Sequence, residues 1–323
     1  MDRYEAKQLK KAASSSVRTS SDLLRPSLSP FKAYSAGPGF RFFTDGTLQQ
    51  RCSSSTHSRA RVHDLGHGQI EAVLQPVHDW VEIEPLSALA LVDAIEQHHL
   101  SSVLTPFEQQ ELDDKNEDRS CRRARTKVRR YAKYKLLDTM ITCTYVKNQQ
   151  DRVLAQAHFA AFVRRVKRII PGFEYVAVAE TQKRGAWHWH IAVRQIKSGY
   201  WVSGRFVHSW ALLRSIWRSV VAECGGNIDV KSPGKPGHSV AKLSSYLTKY
   251  ITKGFGTGVK HQNRYQSSGR DLPASVVLEL PTTGLAALAE VCSLLDIECS
   301  NGRLYTSPPL ASGGYFLSVT PTS

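Results

Sequence analysis

The clearest alternation of apolar and polar positions lies in the middle of the chain. Residues 138–146, DTMITCTYV, are rich in β-branched side chains, which favours a buried strand. Residues 174–180, EYVAVAE, alternate with a period of two, and residues 186–193, AWHWHIAV, follow after the turn TQKRG. Two such segments joined by a short turn that contains glycine predict a β-hairpin.

Segments with helical spacing of apolar residues lie between and after these strands. Residues 155–169, AQAHFAAFVRRVKRI, and residues 209–221, SWALLRSIWRSVV, are amphipathic. The short strand NIDV at 227–230 comes before a further helix at 241–255, AKLSSYLTKYITKGF. Hairpins with helices between them indicate an α+β fold, with a central, mainly antiparallel sheet flanked by helices.

The two ends of the chain have weaker patterns. Residues 1–80 are rich in Ser, Arg, Gly and Pro, and stretches such as 51–62, RCSSSTHSRARV, are expected to be loosely structured. A short helix is expected at 86–100, and the polar segment 108–118 is either a linker or a solvated helix. Near the C-terminus, residues 284–299 predict one helix before a Ser/Pro/Gly-rich end.

Composition narrows the choice of partners. The 323 residues carry a formal net charge of +15, which favours nucleic acid or an anionic membrane surface over a neutral partner. An unspecialised basic surface is the alternative. The six cysteines form no CxxC pair, which is typical of thiols in a reducing compartment rather than of a zinc site. With no secretory signal and no run of about 18 apolar residues, we expect a cytoplasmic protein with no membrane partner.

A strongly basic segment begins at residue 119. RSCRRARTKVRRYAKYKL, residues 119–136, contains nine Lys or Arg and no acid, favours a helix and fits contacts with phosphates. A helix that is merely soluble is the alternative. Trp201, Trp210 and Trp217 are candidates for base stacking, although core packing is the favoured interpretation for the last two. The basic residues expected to contact DNA are Arg122, Arg123, Arg125, Lys127, Arg129, Arg130, Lys183 and Arg184.

Two histidines stand out in the second strand of the predicted hairpin. His188 and His190 are two residues apart, so they share one face of a strand, while Trp187 and Trp189 point to the opposite face and into the core. Two imidazoles on one face can bind a divalent cation, and two structural histidines are the alternative. Glu180 on the partner strand is the expected third ligand, although such an acid is equally often solvated.

A pair of tyrosines follows in the last predicted helix. Tyr246 and Tyr250 are four residues apart and share a helical face, while Lys249 and Lys253 lie on an adjoining face. A tyrosine hydroxyl, with an ordinary pKa of about 10, is a poor nucleophile until a lysine or a metal stabilises the phenolate. Packing tyrosines and solvated lysines are the alternatives.

These motifs together resemble those of a known family. ETQKRGAWHWH followed by YLTKYITK, with the Thr-rich strand DTMITCTY before them, is similar to the HUH endonuclease superfamily. Within it, the pattern resembles the two-tyrosine rolling-circle replication initiators of phages and plasmids. The resemblance covers roughly residues 119–275. Because the histidines precede the tyrosines, the order of the motifs favours an initiator over a conjugative relaxase.

The resemblance implies a fold and a metal site. The fold would be an HUH endonuclease domain with an RRM-like or ferredoxin-like core. His188, His190 and Glu180 would hold Mg²⁺ or Mn²⁺, which would polarise a phosphate of single-stranded DNA.

The resemblance also implies the catalytic roles. Tyr246 or Tyr250 would attack the phosphorus, forming a 5′-phosphotyrosine and leaving a 3′-OH to prime synthesis. The other tyrosine would later cleave the regenerated origin so that the strand is rejoined. Lys249 and Lys253 would neutralise the developing phosphate charge.

On this interpretation the chain has three regions. Residues 1–118 form an N-terminal region that is partly disordered and of unknown function, 119–275 form the catalytic domain, and 276–323 form a C-terminal helix and flexible tail. The partners would be single-stranded DNA at a replication origin and, because there is no GxxxxGK[ST] motif, a host helicase and host replication proteins. A two-tyrosine transposase and a non-catalytic DNA-binding protein remain the alternatives.

Overall fold

The computed structural model describes residues 32–231, 240, 243, 246–249, 265–269, 271–297 and 302–321. The chain divides into two compact units. One comprises Met1–Leu112 and Pro273–Ser323, and the other comprises Asp113–Leu272. Both contain antiparallel sheets and helices, so the predicted α+β class is confirmed. The C-terminal segment joins the N-terminal strands in one unit rather than forming a region of its own.

The elements with defined bounds are, in chain order, the strands β1 (Ala33–Ser35), β2 (Phe40–Phe43), β3 (Leu48–Arg51), β4 (His57–Asp64), β5 (Ile70–Val77) and β6 (Trp80–Ile83), the helices α1 (Ala88–Ser101) and α2 (Pro106–Tyr134), strand β7 (Leu137–Tyr145), helix α3 (Arg152–Ile169), the strands β8 (Tyr175–Thr181), β9 (Trp187–Arg194), β10 (Gly199–Val202) and β11 (Arg205–His208), helix α4 (Ser209–Val221), the strands β12 (Gly226–Lys231), β13 (Gln266–Ser267) and β14 (Val276–Leu280), helix α5 (Gly284–Leu294), and the strands β15 (Gly302–Thr306) and β16 (Tyr315–Pro321).

The second unit is built on a five-stranded antiparallel sheet in the order β12-β7-β9-β8-β13. Its middle strand, β9, is buried at every position except Arg194, which is why WHWHIAV is a nearly continuous apolar run. One face of the sheet packs against α3 and α4. There Trp189 stacks on Phe159 with ring centroids 4.2 Å apart, and Trp217 is fully buried. Trp187 and Trp189 therefore lie in the core, as predicted.

The opposite face of this sheet packs against helix α2. Val128, Tyr131 and Ala132 contact the sheet residues Met140 and Val176 in a second apolar cluster. Leu243 and Leu247, from the segment predicted as the last helix, belong to the same cluster and are also buried.

Helix α2 is longer than predicted. The basic segment 119–136 was expected to be a helix of its own, but α2 also includes residues 108–118, for which a linker and a solvated helix were both open. The solvated helix is correct. Its N-terminus is closed by Thr105 and Glu108, because the Thr105 hydroxyl accepts from the Glu108 N–H while the Glu108 carboxylate accepts from the Thr105 N–H.

The turn between β8 and β9 is a short, tight connection. Gln182 N–H donates to Ala186 O at 2.8 Å, and Gly185 adopts a φ of +85°, which favours glycine. A side chain at this position would meet the Gln150 amide, since an added Cβ would lie 2.9 Å from Gln150 Nε2. The predicted hairpin is therefore confirmed, and its glycine is required by conformation and by space.

The first unit contains two sheets. One has the order β1-β2-β3-β6, and the other has the order β14-β4-β5-β16-β15 with helix α5 packed against it through Ala287 and Val291. The expectation that residues 51–62 are loosely structured is wrong for the segment from His57 onwards. In β4, Ser58, Ala60 and Val62 alternate as buried positions, a pattern masked in the sequence by the small size of these side chains.

Within the described residues, no helix has the length and apolar character needed to cross a membrane.

Candidate active site

The site is built on the sheet face that packs against α2. His188 and His190 project from β9 to this face, 8% and 6% exposed. The register places Glu180 of β8 directly opposite His188, so all three side chains lie on one face, as predicted. The structure therefore brings together the three residues expected to bind a metal.

Glu180 contacts one of the two histidines. The Nε2–H of His190 donates to Glu180 Oε2 at 2.9 Å, and both side chains are largely buried. The rings of His188 and His190 have their centroids 6.2 Å apart and are tilted by 59°. The carboxylate thus orients His190, while His188 stands beside this pair.

The surroundings of His188 keep it neutral. Burial lowers the pKa of His188 to about 4, and positive charge on His190 and on Arg184 acts in the same direction, against the carboxylate of Glu180. Its buried Nε2 has no hydrogen-bond partner among the described residues. A neutral imidazole with an unused nitrogen is the form in which histidine binds a metal.

These groups fit a divalent ion by their chemistry, since imidazole nitrogen and carboxylate oxygen both bind Mn²⁺ and related ions. Within the described part of the chain, however, no group of three or more His, Cys, Asp or Glu side chains has the geometry of a metal site. Glu180 is directed at His190 instead. The face therefore provides a suitable donor set without an assembled coordination sphere.

Polar residues that the sequence reasoning did not single out continue this face across the sheet. Thr142 of β7 lies opposite His190, and Asp229 of β12 lies opposite Thr142, so the three residues form a row across three strands. Thr142 is half-buried and Asp229 is exposed. The alternation in β7 marks Thr142 as facing this way, but only the strand register connects it to Asp229.

Arg184 in the hairpin turn has a structural role. Its guanidinium donates to the carbonyl oxygens of Tyr145 at 2.7 Å and of Val146 at 3.2 Å, and to Gln182 Oε1 at 3.0 Å. It thereby holds the turn against the end of β7, close enough to His188 to influence its pKa. Lys183, the other turn residue expected to contact DNA, is exposed.

Tyr246 is carried by helical residues on the same side of the sheet. Its neighbour Leu247 is fully buried in the cluster that includes Val178 and Ala192, and these two residues share the face of the histidines. Tyr246 itself is 42% exposed, and Lys249 is exposed. The other two predicted catalytic residues, Tyr250 and Lys253, lie outside the described residues.

The basic residues of α2 point away from this cluster. Cys121, Ala124 and Val128 face the sheet, which directs the intervening basic side chains outward. Among the six arginines and lysines predicted to contact DNA, the exposed ones are Arg122, Arg123 and Lys127, and the half-buried ones are Arg125, Arg129 and Arg130.

One comparison with known families finds a match. Residues 138–255 match the family model described as replication-associated protein ORF2/gene II protein. The match covers less than half of the chain, but it begins with β7 and includes the hairpin, both histidines and both tyrosines. It supports a role in the initiation of DNA replication, with DNA at an origin as the partner. No curated protein and no solved structure matches the chain.

Proposed function

We propose that the chain initiates rolling-circle replication by cutting and rejoining single-stranded DNA at an origin. The observation that carries the proposal is the common face of His188, His190 and Glu180, against which the helical residues bearing Tyr246 are packed. The match to the replication-associated family supports the same function.

In the cutting step, the hydroxyl oxygen of Tyr246 or Tyr250 attacks the scissile phosphorus after losing its proton. The P–O3′ bond breaks, the 3′ oxygen takes up a proton, and the 5′ phosphate is left esterified to tyrosine. The phosphoester bond is exchanged rather than hydrolysed, so the reverse attack by a 3′-OH rejoins a strand without ATP.

The residues around the nucleophile have separate roles in this proposal. His188, His190 and Glu180 would hold Mg²⁺ or Mn²⁺, which supplies Lewis-acid polarisation of the phosphate. Lys249 and Lys253 are placed by the sequence to offset the charge that develops on the phosphate. The outward arginines and lysines of α2 provide a basic surface for the rest of the strand.

The test is covalent capture of DNA. Purified protein is incubated with single-stranded fragments from its own replicon, with Mn²⁺ or with EDTA, and resolved on denaturing gels. We expect a protein–DNA adduct in Mn²⁺ that is absent in EDTA and lost in the Tyr246→Phe/Tyr250→Phe double variant. Tyr305→Phe is the matched control, because Tyr305 is also exposed but lies in the other unit.

The remaining outcomes discriminate between alternatives. Loss of the adduct in one single variant identifies that tyrosine as the main nucleophile. Cleavage of transposon ends but of no origin fragment favours a two-tyrosine transposase. DNA binding with no adduct on any fragment contradicts the proposal and favours a non-catalytic DNA-binding protein.

A further inference from the structure

The small hairpin β10–β11 carries an unusual outer face. Strands β10 and β11 pair in register from Gly199↔His208 to Val202↔Arg205. Tyr200, Val202 and Val207 on one face pack against the apolar core of the second unit. The opposite face of such a hairpin is ordinarily polar, because it contacts water.

Here that outer face is aromatic. Trp201 is 74% exposed, Phe206 is 48% exposed and Trp210, at the start of α4, is 51% exposed. His208 between them is also exposed. The interpretation of Trp210 as a core residue is therefore wrong, whereas Trp217 is in the core.

The four rings form a continuous row. The ring centroids are 5.9 Å apart between Trp201 and Phe206, 5.5 Å between Phe206 and His208, and 6.5 Å between His208 and Trp210. The guanidinium of Arg214 lies over the Trp210 ring at 5.1 Å and extends the row with a cation. We call Trp201, Phe206, His208 and Trp210 the aromatic row.

The backbone is adapted to hold this row in place. Gly199 lies beneath the Phe206 ring, and an added Cβ would be 2.5 Å from Phe206 Cζ. The base of the hairpin is tied to α4, because Ser209 N–H donates to Ser198 O at 3.0 Å and the Ser209 hydroxyl donates to Lys197 O. The rings are thus held on a fixed support rather than on a free loop.

The charge around the row selects the partner. Residues 194–222 contain no Asp or Glu but include five cations, which are Arg194, Lys197, Arg205, Arg214 and Arg218. Exposed apolar patches on a soluble protein usually mark a binding site. A partner that is both polyanionic and rich in planar rings fits this surface best, and nucleic acid with unpaired bases has both properties.

We propose that the aromatic row is a base-stacking platform for single-stranded DNA, separate from the nicking site. The choice of DNA as the polymer rests on the proposed function. Bases in a duplex are already stacked on one another and are not accessible to exposed side chains, so the platform would select single strands. Stacking tolerates any base, so binding would depend little on sequence.

The test measures binding without cutting. Full-length protein is titrated in EDTA against a fluorescein-labelled single strand of about 20 nucleotides, long enough to exceed typical site sizes. We expect Trp201→Ala and Trp210→Ala each to weaken the Kd by roughly 5- to 100-fold, while Trp201→Phe retains most of the affinity. The DNA should quench tryptophan fluorescence less in the alanine variants than in the wild type.

Controls separate stacking from charge and from general damage. Phe107→Ala removes an aromatic side chain that is 79% exposed outside the row, and it should leave the Kd unchanged. The alanine variants in the row should keep the salt dependence of binding, because rings contact bases. Arg205→Gln should reduce the slope of log K against log salt by about 0.7.

Three results would overturn the platform. The first is an unchanged Kd in the Trp201→Ala/Trp210→Ala double variant. The second is tighter binding of an RNA strand of the same sequence, with the losses confined to RNA. The third is a change of oligomeric state in the double variant with DNA affinity intact, which would make the row an interface between copies.

Failure of the platform can be distinguished from failure of the proposed function. If no adduct forms in Mn²⁺ but the row variants weaken binding, the nicking proposal fails and the platform stands. If the adduct forms and the row variants bind normally, only the platform fails.

Discussion

At the scale of single residues, the two histidines of the candidate site are not equivalent. His190 is hydrogen-bonded to a largely buried carboxylate, whereas His188 is neutral and its Nε2 has no hydrogen-bond partner among the described residues. One ring is therefore oriented by Glu180, and the other has a nitrogen available for a ligand. Sequence spacing alone treats the two residues as a symmetrical pair.

This asymmetry predicts different costs of removal. His190→Ala should lower the free energy of unfolding by about 1–3 kcal/mol more than His188→Ala, because it removes a hydrogen bond to a charged group. Both variants should reduce Mn²⁺ binding measured by calorimetry. Urea denaturation in EDTA checks the stability difference.

His99→Ala serves as the surface control for both measurements, since His99 is exposed on α1. Equal stability of the His188 and His190 variants would contradict the assigned hydrogen bond. Unchanged Mn²⁺ binding in both variants would remove them from the metal site.

The glycine of the site hairpin gives a second prediction at this scale. Gly185→Ala should destabilise the protein by about 1–2 kcal/mol, because alanine is strained at positive φ and its Cβ meets Gln150. Gly172→Ala is the matched control, since Gly172 has a similar φ of +73° but open space around it. Thermal denaturation that gives the same loss for both variants would rule out the Gln150 contact as a cause.

At the scale of elements, the amphipathic strands and helices that flank the site could be predicted. The segments 155–169 and 209–221 correspond closely to α3 and α4, and the hairpin β8–β9 has its turn where TQKRG indicated. Each has a strong apolar period and a local stop signal. These features depend on neighbouring residues, which is what a single sequence records.

Elements with small or exposed residues could not be predicted. In β4 the buried positions Ser58, Ala60 and Val62 are too small or polar to mark a strand, and β10–β11 has its aromatic face outside rather than inside. The row of His190, Thr142 and Asp229 depends on strand register, which long-range pairing decides.

Helix α2 carries a prediction about DNA binding. Replacing Arg122, Arg123 and Lys127 with glutamine should weaken binding to single-stranded DNA and lower the salt slope by about 0.7 for each phosphate that is no longer neutralised. Their exposure and the lack of acids in the C-terminal half of the helix are the reasons. Anisotropy titrations at several salt concentrations measure the slope.

The control for this experiment is Arg59→Gln, because Arg59 is already paired with Glu279 at 2.6 Å in the other unit. A slope that is unchanged in the triple variant would place the DNA path elsewhere on the protein.

At the scale of the whole molecule, the first unit depends on segments from both parts of the chain. Strand β14 pairs with β4, and β16 lies between β5 and β15. Leu317 of β16 is fully buried in the core of this unit. The C-terminal strands are therefore structural members of a sheet, not an appendage.

Leu317→Ala should consequently lower the free energy of unfolding of the first unit by about 2–5 kcal/mol. Limited proteolysis should detect the loss as faster cleavage within residues 57–77. Leu310→Ala, at a more exposed position, should have little effect. Equal protease sensitivity of the two variants would contradict the assigned position of β16.

The discontinuity of the first unit also has a consequence for synthesis on the ribosome. All of the sheet that bears the candidate site lies within Asp113–Leu272, so this unit is complete in the nascent chain before translation reaches β14. Strands β4 and β5 must wait for partners about 200 residues or more downstream, as in the pairing of Arg59 with Glu279. The chain thus completes its DNA-processing unit first, and a product that stops early retains that unit but lacks a finished first unit.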